Sequence, residues 1–534
     1  MLLKQFTTRS LSHFITTPIF YVNSRPHVGH VHSLLLADAL NIHRRLKQNN
    51  CDTLFSTGTD EHGIKIQNAA NLCRMNYLDF CNLNAKKFRD LFYHFDTTLS
   101  DFIRTSEERH VKAVQELWTE LNKRGFIYKC EYSGWYCASD EVFVPESQVV
   151  KEEVDGQVTH TDQNGNHLIW SSEQNYMFRL SEVEHQVSKW LVKEKPVIPE
   201  KFNAEALRMM EQAPIGDISI SRPKSRLSWG ITVPNDNTQT IYVWLDALTN
   251  YLTVAGYPDK LKRWPIDCQV FGKDIIKFHA IYWPAFLMAL SLPLPKKLIC
   301  HSHWLVDSFK MSKSRGNVVD PFDESMLLTT EGFRYYLLRA STTHSDTDYS
   351  HTQAFRRANA ELADTYGNLI SRCCSTTINP RQTIPTTMTE KISPGFDELL
   401  GRLTSLPSEC DLHFENADFY KGVDQIMSVL RACNSLYEES KPWKLVKDID
   451  RDEISLNLHT NIQALTFECL RICSILLQPV IPKLSQSALN RLDVERRNWS
   501  DSKVSLKESD ITLQERPLKS LDSKTLFPKL RERR

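Results

Sequence analysis

Four things are missing from this 534-residue chain, and each absence narrows what it can do. No uninterrupted apolar stretch reaches the ~20 residues needed to cross a bilayer, so membrane-spanning roles drop out. Neither sign of charge is in excess, with 65 Lys and Arg against 65 Asp and Glu, so a nucleic-acid partner would have to meet a locally basic face. The thirteen cysteines are odd in number and irregular in spacing, which fits reduced thiols rather than a disulfide framework. Finally, no acidic residue occurs from Met1 to Ala37, while Lys4, Arg9 and Arg25 are basic and "TTRSLSH" is rich in hydroxyls. That is the composition of an organelle transit peptide, although so short a start is acid-free by accident in some chains; residues 1–12 are a candidate presequence.

What is present points to several domains. The length exceeds the ~250–300 residues at which one core stops growing, and no internal repeat is visible. "FITTPIFYV" is a β-branched and aromatic run of strand length, followed by Asn-Ser-Arg-Pro turn chemistry and by "VGHVHSLLLADALNIHRRLKQ", whose apolar residues recur at helical spacing. "DTLFSTGTDEHG" repeats the strand-to-loop pattern, so the opening reads as an α/β layer of nucleotide-binding type. From Gly125 to about Arg226 the texture changes to short strands and turns, and "QTIYVWLDALTNYL" then restores the alternation. After Ser350 helical periodicity dominates, interrupted by the Pro/Thr-rich joint "NPRQTIPTTMTEKISPG", and the charge-rich end beyond about Asp501 is expected to pack loosely.

The chemistry concentrates at two places. Residues 16 to 40 gather His27, His30 and His32 around Gly29. Two histidines at i, i+3 supply too few ligands for zinc, whereas a strand ending in a turn at a helix start leaves backbone N–H groups that attract anions. A bland surface turn competes with that reading until "FKMSKSRGN" is considered. There, about 280 residues downstream, Lys310 and Lys313 sit among Ser312, Ser314 and a glycine, mobile point charges suited to a polyphosphate leaving group. His-x-Gly-His after the first strand and Lys-Met-Ser-Lys-Ser after a late one resemble the paired signatures of class I aminoacyl-tRNA synthetases.

Between the signatures, "TTPIFYVNSRPHVGH", "STGTDEHGIKIQ", "ISRPKSRLSWGI", "YVWLDALTNYL", "VFGKDIIKFHAIYWPAFLMA" and "HSHWLVDSFKMSKSRGNVVDP" resemble the methionyl-tRNA synthetases of mitochondrial type, over roughly residues 14–445. The resemblance implies a Rossmann-type parallel-sheet catalytic domain at 13–125 and 226–295, split by a connective-peptide insertion at 126–225. A stem-contact region with the lysine loop at 296–350 and an all-α anticodon-binding bundle at 351–534 would follow. It implies ATP with Mg²⁺, L-methionine and tRNA(Met) as substrates, with no protein nucleophile, so that catalysis is positioning plus electrostatic stabilisation. His27 and His30 would serve the phosphates, Gly29 would admit ATP between them, and Lys310, Ser312, Lys313 and Ser314 would close over the leaving pyrophosphate.

The same resemblance places Ile19, Tyr21, Asp60, Trp244, Ala247, Tyr251, Ile275, Phe278, His279 and Trp283 around methionine. Aromatic faces suit a thioether, Asp60 would take the ammonium, and Tyr21 and His279 would offer polar hydrogens to the sulfur. Trp443, in "KPWKL", would stack on an anticodon base, with Asn359, Glu361 and Asp364 as further candidates. Departures from the family matter too. The insertion has no Cys-x-x-Cys pair, so Cys130 and Cys137 are expected to leave it zinc-free, and no appended tRNA-binding domain is visible, which favours a monomer. A mitochondrial matrix location is implied, with no membrane partner. Another class I synthetase or nucleotidyltransferase, or a non-catalytic tRNA-binding relative, would be separated from this reading by amino-acid-dependent pyrophosphate exchange.

Overall fold

The structure is a computed structural model that describes residues 13–49, 51–137, 142–144, 146–154, 157–162, 165–211, 216–311, 316–388, 394–508, 515–518 and 525–531. The candidate presequence and the loop residues Ser312, Lys313 and Ser314 lie outside these. The chain divides into two compact units, one formed by the described residues up to Pro26 with Leu54–His301, the other by His27–Thr53 with the described residues from Ser302 onward.

The first unit is built on a six-stranded sheet in the order Asp101–Arg104, Thr53–Asp60, His13–Tyr21, Cys268–Gly272, Leu298–His301, Val197–Ile198. Gly58 pairs with Ile103, Ile15 with Cys268, Val270 with Ile299 and Leu298 with Val197, all in parallel. Parallel strands covered on both faces read as continuous apolar or β-branched runs, and "HFITTPIFY" is buried along almost its whole length for that reason. The opening strand lies in the middle, with its successors first on one side and then on the other, so the sheet has a switch point at its carboxyl edge, where ligands bind in such folds. Tyr21, Asp60 and Gly272 all end strands there.

The insertion carries a second, antiparallel sheet, Ile218–Ser219, Leu168–Phe178, Ile127–Cys137 and Val142–Val144, in which eleven residue pairs run from Ile127↔Phe178 to Cys137↔Leu168. It differs from the expected run of short strands: two of its strands are eleven residues long, and two helices belong to it. The helices Glu184–Glu194 and Glu200–Glu211 flank Val197–Ile198, and that dipeptide returns to the parallel sheet as its edge strand. Two residues are too few to announce a strand, and only the partner Leu298–Ile299 makes them one.

In the second unit the helix Val28–Lys47 packs with Thr330–Ala340 and Pro394–Glu415, alongside Phe419–Ser440 and Glu453–Leu477. Asp38 and Arg334, both inaccessible, pair at 2.6 Å, and the guanidinium also donates to the carbonyls of Val480 and Pro479 at 2.8 Å each. Burying the charged pair is made less costly by these two backbone acceptors. The expected all-helical bundle contains four short strands: Thr383–Pro385 pairs with Glu515–Pro517, and Thr387–Met388 with Lys507–Glu508. Nor is the end of the chain loose in its described parts, since Arg516 donates to the carbonyls of Leu492 and Asp493 and Phe527 is buried. The β-branched Thr and Ile of the joint supply an edge, and the tail's backbone groups use it.

Candidate functional site

The histidine cluster is a helix cap. His27 precedes the helix Val28–Lys47 in extended conformation, and its Nδ1 accepts the Gly29 N–H at 3.1 Å. His30 reaches back, its Nδ1 accepting the N–H of His27 at 3.1 Å, and the two rings stack with centroids 3.8 Å apart. This is a capping box made of imidazoles. Burial pushes His27 down to about 4, with Lys310 and His303 adding to the effect, and burial followed by the His27 ring pushes His30 well below its ordinary value. Both rings are therefore neutral at pH 7, and because each Nδ1 accepts from backbone, each ring proton sits on Nε2. That is the tautomer an oxyanion-binding imidazole needs.

Gly29 is used differently from expectation. With the rings stacked at 3.8 Å nothing fits between them, and the role of the glycine is to let the His27 ring fold over its own helix: a Cβ there would meet His27 Cε1 at 3.0 Å and Nδ1 at 3.1 Å. The lysine segment arrives from far along the chain. Lys310 is exposed on the two-residue strand Phe309–Lys310, which pairs with Trp304–Val306, and just past the loop Val319 O accepts the N–H of Val28 at 3.3 Å. The helix start is thus fastened to the far end of that loop. His32, which had no expected role, is buried and bonds Ser341 Oγ at 3.0 Å.

The second constellation lies wholly in the first unit, at the carboxyl edge of its sheet. Val22 N–H donates to Asp60 O at 3.2 Å, which sets the end of the opening strand, with Tyr21 and Ile19, beside the end of Thr53–Asp60. Trp244, Ala247 and Tyr251 share the helix Val243–Val254 at i, i+3 and i+7, and Phe278 and His279 lie on a π-helical turn, Phe278–Tyr282, after the strand Cys268–Gly272. Such one-turn expansions re-aim side chains and recur at functional sites. The rings of Trp244 and Phe278 lie face to face, centroids 3.6 Å apart at 6°, and His279 stacks on Phe271 at 4.6 Å. Trp283 is inaccessible and packs against Tyr251 at 5.7 Å.

One expectation fails here. His279 Nδ1 lies 3.0 Å from the carbonyl of Ile275, which can only accept, so the proton is on Nδ1 and Nε2 accepts the Tyr251 O–H at 2.8 Å. Burial holds this ring down to about 4, hence neutral, and pushes the Tyr251 phenol up. His279 therefore has no proton left for a sulfur atom.

The three polar residues expected as further anticodon candidates are engaged within the chain. Asn359 exchanges two hydrogen bonds with the backbone of Leu530, Glu361 accepts from Tyr335 O–H at 2.6 Å, and Asp364 pairs with Lys529 at 3.0 Å. Trp443, half-buried on the short helix Pro442–Leu445, has instead the Arg372 guanidinium over its ring at 5.3 Å. Sequence reasoning passed over Arg372, since nothing local announces a cation–π partner seventy residues away.

Among the described residues one group of three side chains has metal-ligating reach, His43, Asp411 and Glu415, but Lys47 Nζ already lies 2.9 Å from Asp411 and 2.8 Å from Glu415. An ammonium fills the place of a cation there. Cys130 and Cys137 occupy one strand seven positions apart, roughly 23 Å of extended chain, so they cannot share a zinc ion. No described helix is long and apolar enough to cross a membrane.

The family model described as tRNA synthetases class I (M) matches residues 13–374. The probable mitochondrial methionine–tRNA ligase of Dictyostelium discoideum is 44% identical over 506 residues, 91% of this chain and 87% of that protein. The human mitochondrial methionine–tRNA ligase is 42% identical over 502 residues, 90% of this chain and 84% of its own. Mycobacterium tuberculosis methionyl-tRNA synthetase in complex with methionyl-adenylate superposes with a TM-score of 0.88 at 32% identity, covering 97% of this chain and 99% of the other.

Proposed function

The chain belongs to the class I methionyl-tRNA synthetases, and from that membership we propose how its residues divide the work of activating methionine and passing it to tRNA. It is a methionine–tRNA ligase. In the first step the methionine carboxylate attacks the α-phosphorus of ATP and pyrophosphate leaves; in the second the terminal ribose of tRNA(Met) takes the methionyl group. No covalent enzyme intermediate is needed, so the residues earn their place by holding and by stabilising charge.

The observation that carries the residue assignment is the imidazole cap. His27 and His30 spend Nδ1 on backbone N–H groups and keep their protons on Nε2, at a helix start that favours anions. They donate to the phosphates as charge moves onto the leaving group. Lys310, with Lys313, Ser312 and Ser314 of the loop, screens the departing pyrophosphate. ATP enters as its Mg²⁺ complex, the ion carried by phosphate oxygens and water as Mg²⁺ prefers; the described carboxylates nearest to a ligand set are already paired with Lys47.

On the amino-acid side Asp60 receives the ammonium, and the Trp244, Phe278 and Trp283 faces with Ile19, Ala247 and Ile275 enclose the thioether. Tyr251 and His279 form one hydrogen-bonded wall, which leaves the polar contact with sulfur to Tyr21. Trp443, with Arg372 beside it, stacks on an anticodon base. The remaining assignments are a catalytic domain at 13–125 and 226–295, an insertion without zinc, a stem-contact region at 296–350, an anticodon domain at 351–534, and a monomer working in the mitochondrial matrix, where the named relatives are mitochondrial enzymes.

Two assays test this. Pyrophosphate exchange should depend on methionine, and activity with leucine or cysteine but none with methionine overturns the substrate assignment. Trp443→Ala should raise the KM for tRNA in aminoacylation about 10- to 100-fold, a stacked base being worth ~1–3 kcal/mol, with pyrophosphate exchange unchanged; equal losses in both assays exclude an anticodon role.

A further inference from the structure

Behind the pocket lies a buried polar chain that the reaction chemistry does not use. Asp246, on the helix that carries Trp244, Ala247 and Tyr251, is wholly inaccessible, and so is His110; His62 is nearly so. His62 Nδ1 meets Asp246 Oδ2 at 2.7 Å and His110 Nε2 meets Oδ1 at 2.8 Å, while the second nitrogen of His110 reaches Thr253 Oγ1 at 2.9 Å on the same helix. An ionised carboxylate this deep is costly unless each oxygen is met by a donor, and here each is.

The chain joins particular parts. His62 sits two residues after Asp60, and the residue between them is held as firmly: Glu61 accepts from Arg104 at 2.7 and 2.9 Å and from Ser106 at 2.5 Å, its N–H donates to Thr105 Oγ1 at 2.9 Å, and its carbonyl accepts Trp229 Nε1–H at 2.5 Å. Trp229 also lies edge-on to the His62 ring, centroids 5.3 Å apart. Asp246 stands two residues from Trp244 and one from Ala247.

We propose that His62, Asp246 and His110 are positioning residues that fix the distance between the Asp60 loop and the Trp244–Ala247–Tyr251 face of the pocket. They thereby set both the affinity for methionine and the enzyme's discrimination against a longer side chain. The inference rests on the methionine-pocket reading above. A substrate gripped by its ammonium at one wall and its thioether at the other is measured by the separation of those walls. A rigid tie makes that measurement sharp, because one methylene in a fixed pocket is worth 10- to 200-fold in kcat/KM by order of magnitude.

The test is methionine- and ATP-dependent pyrophosphate exchange by the full chain and its Asp246→Asn and His110→Gln variants, with methionine and with its S-ethyl homologue. Asp246→Asn should raise the methionine KM about 10-fold and narrow the preference for methionine over the S-ethyl homologue at least about 3-fold, with kcat and the ATP KM within about twofold. His110→Gln, one bond further from Asp60, should move the same two quantities less, and it carries the test if Asp246→Asn does not fold. An unchanged preference in a folded variant overturns the proposal. So does a parallel decline of kcat and both KM values that tracks a lowered thermal midpoint, which is the mark of general destabilisation. Absence of methionine-dependent exchange by the parent chain would instead overturn the pocket reading itself.

Discussion

The imidazole cap and the aromatic cluster both use histidines whose pKa burial lowers, to about 4 for His27 and His279 and well below the ordinary value for His30, but they use them in opposite ways. In the cap, backbone N–H groups occupy Nδ1 of His27 and His30 and leave the ring protons on Nε2. In the pocket, a backbone carbonyl takes the proton of His279 and a phenol fills its other nitrogen. The cap leaves an N–H on each ring turned away from the backbone; His279 spends both of its nitrogens inside the protein. The difference teaches that residue type and pKa do not assign a role, whereas the partner of each nitrogen does.

The comparison breaks most visibly at His30. Replacing it by Ala removes a donor and the acceptor for the His27 N–H, and should lower the rate of adenylate formation about 10²- to 10³-fold with the methionine KM nearly unchanged. A normal rate with weakened methionine binding would reverse the assignment of the two sites. Next in size is a pH effect that His279 shares with the buried cap histidines and that its own substitution isolates. The pKa of His279 is depressed from 6.5 to about 4 in the folded chain, so between those values the unfolded chain binds more protons. Its contribution to stability is complete above about pH 6.5 and is lost as pH falls toward 4, amounting to about 2 kcal/mol between pH 7 and pH 5. The fall in thermal midpoint over that interval should shrink in His279→Gln, and an equal fall in both proteins refutes the assignment. Smaller again, Tyr251→Phe leaves His279 Nε2 without its donor. About 1 kcal/mol follows from an unmade buried hydrogen bond, read as a methionine KM raised roughly fivefold at constant kcat.

The cap was legible in the sequence because it is local. His27, Gly29 and His30 make their capping contacts within four residues, so a strand, a turn and a helix start were readable there, although only the lysine segment far downstream favoured an anion site over a plain surface turn. The pocket candidates were not legible in that way: Tyr21 and Asp60 end strands of the parallel sheet, Trp244 opens a helix after an antiparallel strand and His279 lies on a π-helical turn, and a family resemblance was needed to gather them. The proton on His279 was misread because the Ile275 carbonyl, at the end of a 3-10 turn just before the π-helical turn, accepts it, and no local pattern announced that geometry. Likewise, Val197–Ile198 and the tail segments Lys507–Glu508 and Glu515–Pro517 are too short to register as strands without their distant partners. The Asp246 chain was invisible for the same reason, its three members lying 48 and 136 positions apart.

The smallest change sharpens the contrast most, because it touches the cap without removing any polar group. In Gly29→Ala the new Cβ meets the His27 ring at 3.0 to 3.1 Å, closer than ordinary contact, so the ring must swing away by a few tenths of an ångström. The swing lengthens the bond from the Gly29 N–H to Nδ1 and loosens the stack on His30, two contacts that set the direction of both Nε2–H groups. Hydrogen bonds weaken steeply with angle, so a donor turned slightly from the phosphate loses transition-state stabilisation while helix propensity rises with alanine. The adenylation rate should therefore fall about threefold, the methionine KM should stay constant, and the thermal midpoint should hold or rise. A falling midpoint with the rate intact would mean that the glycine serves the helix and not the histidines.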